Sequence, residues 1–190
     1  GHKNHPEVEG TMGQLPDGYI FLVEDVTDIE KLNFEDEEKI AYLTQTTLSI
    51  DDTQNIISEL RNKFPNVESS PKEDICYATS NRQKAIKEYA NKCDAFIVVG
   101  SKNSSNSNRL VEVAKKAGCE NSQLLENAES LDLKNYSSFN TIGISSGASV
   151  PEVLVENIIS KFQKTYSLEI ENVTLGEENV HFKLPKEVRN

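Results

Sequence analysis

Tryptophan is absent from this 190-residue chain, methionine occurs once, and the three cysteines include no CxxC pair. Without such a pair, neither a zinc ribbon nor a self-contained iron–sulfur motif can be assembled. Cys76, Cys93 and Cys119 are odd in number and far apart, which suits a reducing cytoplasm better than a disulfide framework. No segment approaches the ~18 apolar residues of a membrane span. A basic stripe is missing too: 20 Lys and Arg face 31 Asp and Glu, a formal net charge of −11. The expectation is therefore no nucleic-acid partner and no membrane partner. A small anion is not excluded, because helix N-termini and neutral donors can hold one locally. Neither a Walker lysine motif nor GxGxxG is present to do so in the commonest ways. The opening "GHKNHPEVEGTMG" has no apolar run, so the expected location is cytoplasmic, without an export signal. It does not begin with Met, and a fragment or processed form is expected.

What is present, with 36% hydrophobic residues, is one pattern that returns four times: a short strand, a polar turn, an amphipathic helix. "KIAYLT" (39–44) reads as a strand and "IDDTQNIISELRNKF" as a helix, with Ile56, Ile57, Leu60 and Phe64 on one face. Ser49 is its expected N-cap and Pro65 its stop. "ICYA" (75–78) reads as the second strand, followed by "TSN" and the helix "RQKAIKEYANK". "AFIVVG" (95–100) is a strand apolar enough to be buried on both faces; it leads through a polar loop to "RLVEVAKKAG", with Gly118 as C-cap. "TIGI" (141–144), "SSGAS" and "VPEVLVENIISKFQK" form the fourth unit, with Ser149 expected to cap and Pro151 in the first turn. Such alternation implies an α/β fold with a mainly parallel sheet. Two lobes and a tail are expected, 1–72, 73–165 and 166–190, the tail strand-like at Val180, Phe182 and Leu184 and docked on a lobe or partner. His181 falls on the opposite face of that alternation, where a solvated role is expected. The acidic run "FEDEEK" reads as a solvated turn.

In open α/β sheets ligands bind beyond the carboxyl ends of the strands. Those turns here carry Thr44, Thr46 and Thr47, then Ser104, Ser105 and Asn106, then Ser145, Ser146 and Ser149. For any one turn, ordinary capping is the simpler reading. The eight small or polar residues Ser101 to Asn108 exceed what one cap needs, and a phosphate or diphosphate surface is expected there. "HPEVE" (5–9) sets His5 and Glu7 two residues apart, able to line one pocket if extended; alone, such a pair is usually plain surface. Cys76 is expected at a strand end, before a helix start that could stabilise a thiolate, whereas Cys93 and Cys119 read as structural.

Five stretches together, "GHKNHPEVEGTMGQ", "TQTTLSIDDT", "DICYATSNRQ", "VVGSKNSSNSNRL" and "GISSGASVPE", resemble in order and spacing the LytB family of 4-hydroxy-3-methylbut-2-enyl diphosphate reductases. The resemblance extends over essentially the whole chain, and "GSKNSSNSNRL" is its most specific part. It implies two of three pseudo-symmetric α/β lobes, of parallel or mixed sheet, around a central 4Fe-4S cluster held by three cysteines. It implies reductive removal of the substrate's hydroxyl, giving isopentenyl and dimethylallyl diphosphate, with an electron donor such as flavodoxin or ferredoxin. Carried onto this sequence, Cys76 is the implied metal ligand. His5, Ser104, Ser105, Asn106 and Ser149 are the implied diphosphate ligands, Glu7 the proton donor, and Thr46 its link to the substrate hydroxyl.

The family pattern also begins upstream of "GHKNHPE", with a first lobe that carries the other two cluster cysteines and two further diphosphate histidines. Cys93 and Cys119 lie outside the ligand motifs. The expectation is a truncated reductase, inactive alone, with an exposed apolar patch and a tendency to associate. The alternatives are a stand-alone diphosphate-binding module and a subunit whose first lobe comes from another chain.

Overall fold

The structure, a computed structural model, describes residues 1–34, 39–71, 74–175 and 183–189. Its better-formed half is a three-stranded parallel sheet in the order β4-β3-β5, made of β3 (Ala95–Val99), β4 (Ser122–Leu125) and β5 (Ile142–Ser146). Every residue of β3 is buried, because both faces are covered. Phe96 and Val98 point into a cluster with Leu110, Val113 and Ala114 of α5 (Ser105–Lys116) and Ile86 of α4 (Tyr77–Tyr89). Ala95, Ile97 and Val99 point the other way, against Ile158 and Phe162 of α6 (Glu152–Gln163) and Tyr136 of a 3₁₀ turn. Each large side chain so buried contributes about 1.5–3 kcal/mol. Gly118, at φ +104°, ends α5 with its N–H on the Lys115 carbonyl and that of Cys119 on Ala114, the Schellman arrangement.

The other half holds α1 (Pro6–Met12), α2 (Val26–Lys31), α3 (Ile50–Lys63) and two short parallel strands, β1 (Ala41–Tyr42) and β2 (Glu68–Ser69). Its core joins Ile29 to Leu60, Phe64 and Val67. Ser49 caps α3 by accepting from Asp52 N–H at 3.3 Å. Gln83, fully buried on α4, ties the halves together by donating to the Leu48 carbonyl (2.8 Å) and accepting from Ile50 N–H (3.1 Å).

Several sequence expectations are corrected. "ICYA" is not a strand: Cys76 is the N-cap position of α4, which begins at Tyr77, and the strand of that unit is β2. Ser145 and Ser146 belong to β5 itself. Pro151, not Ser149, is the N-cap position of α6, with no side-chain cap bond. Among the described residues after α6 there is no strand, only a 3₁₀ turn at Lys186–Val188. Leu168, Ile170, Val173 and Leu175 are exposed, so the described tail is not docked through them. Val180, His181 and Phe182 lie outside the described residues, as do residues 35–38 of the acidic run and the expected lobe boundary at 72–73.

Candidate functional site

The two halves meet where α1, the loop after β1, and the starts of α4 and α5 converge. His5 and Glu7 are not on an extended segment. His5 is the N-cap of α1, its Nδ1 accepting the Glu7 N–H at 3.2 Å, and Pro6 sits in the first turn where its missing N–H costs nothing. Because Nδ1 accepts, the proton of a neutral imidazole lies on Nε2, which stands 2.8 Å from Ser105 Oγ, 100 positions along the chain. The Glu7 carboxylate turns to the loop after β1: Oε1 accepts from Thr46 N–H at 3.0 Å and Oε2 from the Thr46 hydroxyl at 3.1 Å. The Thr46 carbonyl in turn accepts the Cys76 N–H at 3.1 Å. The predicted site residues thus form two side-chain pairs, His5–Ser105 and Glu7–Thr46, linked through the Glu7 N–H, and Cys76 joins by its backbone.

The loop from Ser101 to Asn108 divides its labour. Ser104 is the N-cap of α5, and Asn108 Nδ2 braces the loop through the carbonyls of Lys102 (2.8 Å) and Ser104 (3.0 Å). Ser105 meets His5. Asn106 is 8% exposed, and its Oδ1 is buried without a hydrogen-bond partner among the described residues. An orphaned acceptor of this kind costs about 1–3 kcal/mol, which a bound donor, or an amide turned to offer Nδ2 to a bound acceptor, would recover. Ser149 stands apart, exposed in the turn between β5 and α6, with no bond to the other predicted ligands among the described residues.

The charge arrangement favours an anion. In a chain of net charge −11, neither α4 nor α5 has an acidic residue in its first turn, whereas α3 begins Asp51, Asp52. The positive ends of the two helices therefore reach the junction without an acidic side chain in their own first turns.

Sequence reading missed two buried side chains that shape this junction. Gln45 donates to Thr47 Oγ1 at 2.9 Å and accepts the His2 N–H at 3.1 Å, fixing the approach to α1. Ser107, fully buried, lies between the loops after β3 and β5. The runs of Ser, Thr and Asn around them give no local sign of which member turns inward.

A family model described as LytB protein matches residues 1–163. The chain belongs to the LytB family. It is 50% identical over 189 residues to the 4-hydroxy-3-methylbut-2-enyl diphosphate reductases of Ruegeria sp. (strain TM1040) and Beijerinckia indica, covering all of this chain but 60% and 59% of those proteins. The solved structure of the E-1-hydroxy-2-methyl-but-2-enyl-4-diphosphate reductase from Plasmodium falciparum matches 98% of this chain and 58% of that one, at 39% identity and a TM-score of 0.88. The shared architecture is therefore that of part of the LytB fold.

As a metal site, the LytB chain is partial. Cys76 is exposed at a helix N-cap, without a side-chain bond in the cap, and suits one ligand position of a cluster. Cys119 is buried, and Cys93 is packed against the same apolar cluster, its thiol pushed up by burial and by Cys119. Among the described residues no three of His, Cys, Asp and Glu come together to hold a metal. Of the three cysteines, Cys76 is the one placed where a thiolate could meet a metal.

Proposed function

We propose that these residues are the diphosphate-gripping and proton-delivering part of a 4-hydroxy-3-methylbut-2-enyl diphosphate reductase. The reaction of the complete protein replaces a C–O bond by a C–H bond: two electrons and two protons enter, and the hydroxyl leaves as water. Glu7, in its protonated form, supplies a proton to the departing hydroxyl, with Thr46 holding the carboxyl group toward it. His5 passes its Nε2–H from Ser105 to the diphosphate, which leaves the Ser105 hydroxyl free to donate beside it, with Asn106 and the two helix starts, and Ser104 and Ser149 complete the cradle. A 4Fe-4S cluster, when bound, supplies the electrons, delivered by a donor such as flavodoxin or ferredoxin. With one suitable cysteine, this chain alone is inactive.

The single observation that carries the reading is the pair of hydrogen bonds that the Glu7 carboxylate accepts from Thr46, next to the His5–Ser105 contact. Carboxylate, hydroxyl and imidazole are converged between two acid-free helix starts, the set that protonation of a leaving group on an anionic substrate requires. The test is anaerobic purification of the native polypeptide that carries these residues, as wild type and as Cys76→Ser. The wild type is expected to hold iron and a brown colour, and the variant to lose both. A wild type without iron, or a variant that keeps the full complement, contradicts the assignment.

A further inference from the structure

Ser107 has no role in the contacts assigned above to a ligand, yet two loops close around it. It is fully buried in the first turn of α5. On one side its N–H donates to Ser104 Oγ at 3.2 Å, and its own Oγ lies 3.0 Å from the same atom, the one hydrogen-bond partner this hydroxyl has among the described residues, so a fully buried Ser107 directs its proton there. On the other stand Gly100, just after β3, and Gly147, just after β5, where a Cβ at either position would overlap the Ser107 hydroxyl. Gly147 N–H donates to the Val99 carbonyl at 2.9 Å and Gly100 N–H to that of Leu125 at 2.9 Å, so the glycines are pinned and the hydroxyl has little space to turn.

An N-cap serine ordinarily accepts one bond, from the N–H three residues on. Ser104 accepts that bond and a second from the Ser107 hydroxyl. A hydroxyl has two lone pairs and one proton. With both lone pairs occupied, Ser104 can only donate. We propose that Ser107 is a positioning residue that makes Ser104 an obligate hydrogen-bond donor to a phosphoryl group held at the start of α5. The two glycines leave the room that keeps the Ser107 oxygen within reach of Ser104. The inference rests on the diphosphate reading above and goes beyond it: it concerns a residue that touches no ligand and explains why both loops end their strands in glycine.

The experiment is calorimetric titration of inorganic diphosphate into the native polypeptide that carries these residues. The proteins compared are the wild type, Ser104→Ala, Ser107→Ala, the double variant and Gly147→Ala. Each single serine variant is expected to weaken binding about tenfold, the scale of one hydrogen bond to a charged group. The double variant is expected to bind no worse than Ser104→Ala, because Ser107 acts only through Ser104. Gly147→Ala, which keeps the hydroxyl but fills its space, is expected to weaken binding as Ser107→Ala does. If Ser107→Ala does not fold, Gly147→Ala carries the same comparison in the Ser104→Ala background. Additive losses in the double variant would reduce Ser107 to a structural residue and overturn the proposal. So would full affinity in Ser107→Ala alongside weakened Ser104→Ala, and in that case the diphosphate reading would stand. A wild type that does not bind, or a Ser104→Ala variant that binds as the wild type does, would remove the diphosphate reading and the proposal with it.

Discussion

Arg109 donates to His2 Nε2 at 2.7 Å, a contact that only a neutral imidazole can accept. Desolvation first, and then the Arg109 charge, hold this histidine below its ordinary value. As pH falls, the unfolded chain takes up its proton before the folded one does. The contribution to stability is therefore complete above the ordinary histidine value of about 6.5 and is lost as the pH drops through the lowered folded value. Denaturant midpoints measured between about pH 8 and 5 are expected to fall more steeply for the wild type than for His2→Asn; parallel curves would contradict this. At the same scale, the contacts of the candidate site were only half legible. The types His, Glu, Thr and Ser could be read from their motifs. That His5 meets Ser105, 100 positions away, could not, since no local period encodes a contact made by packing two halves. Ser107 was hidden for the same reason, because its environment is supplied by Gly100 and Gly147 from different loops.

Among the elements, β3 and α5 were readable because burial on both faces leaves a continuous apolar strand and a clear helical stripe. The start of α4 was misread because "ICYA" is short, apolar and aromatic, which suits a strand as well as a helix start. Its true strand partner, Glu68–Ser69, is two exposed polar residues with no pattern to detect. The position of Cys76 changed accordingly, from a strand end to a helix N-cap, while its place beside Thr46 came only from the fold. Leu110 is fully buried where α4, α5 and β3 meet, on the helix that presents Ser105 to His5. Leu110→Ala is expected to cost about 2–5 kcal/mol in equilibrium unfolding; a cost under about 1 kcal/mol would show that α5 is seated by other contacts.

For the whole molecule, the chain spans 60% of the Ruegeria relative, and several large apolar side chains lie exposed on its surface. Tyr19 (73% exposed), Phe21 and Leu43 (67%) border a cavity of about 640 Å³ between α1, β1 and α3, and the tail adds Leu168, Ile170, Val173 and Leu175. Exposed apolar surface of this kind drives association. The 21.2 kDa chain is expected to show concentration-dependent self-association in sedimentation and to bind an apolar dye. A dye-free monomer at all concentrations would contradict that. No helix among the described residues is long and apolar enough to cross a membrane.

The role proposed for Glu7, held by Thr46, is to deliver a proton in a reductase. Its most direct test is anaerobic turnover of 4-hydroxy-3-methylbut-2-enyl diphosphate by the native polypeptide that carries these residues, as wild type and as Glu7→Gln. The amide preserves shape and can still meet Thr46, but it has no proton of suitable acidity to give. The wild type is expected to form isopentenyl and dimethylallyl diphosphate. Glu7→Gln is predicted to bind substrate comparably and to turn it over about 10²–10⁴-fold more slowly, the scale of general acid catalysis. Equal turnover by the two proteins, or a wild type that binds the substrate and leaves its hydroxyl in place, would contradict it.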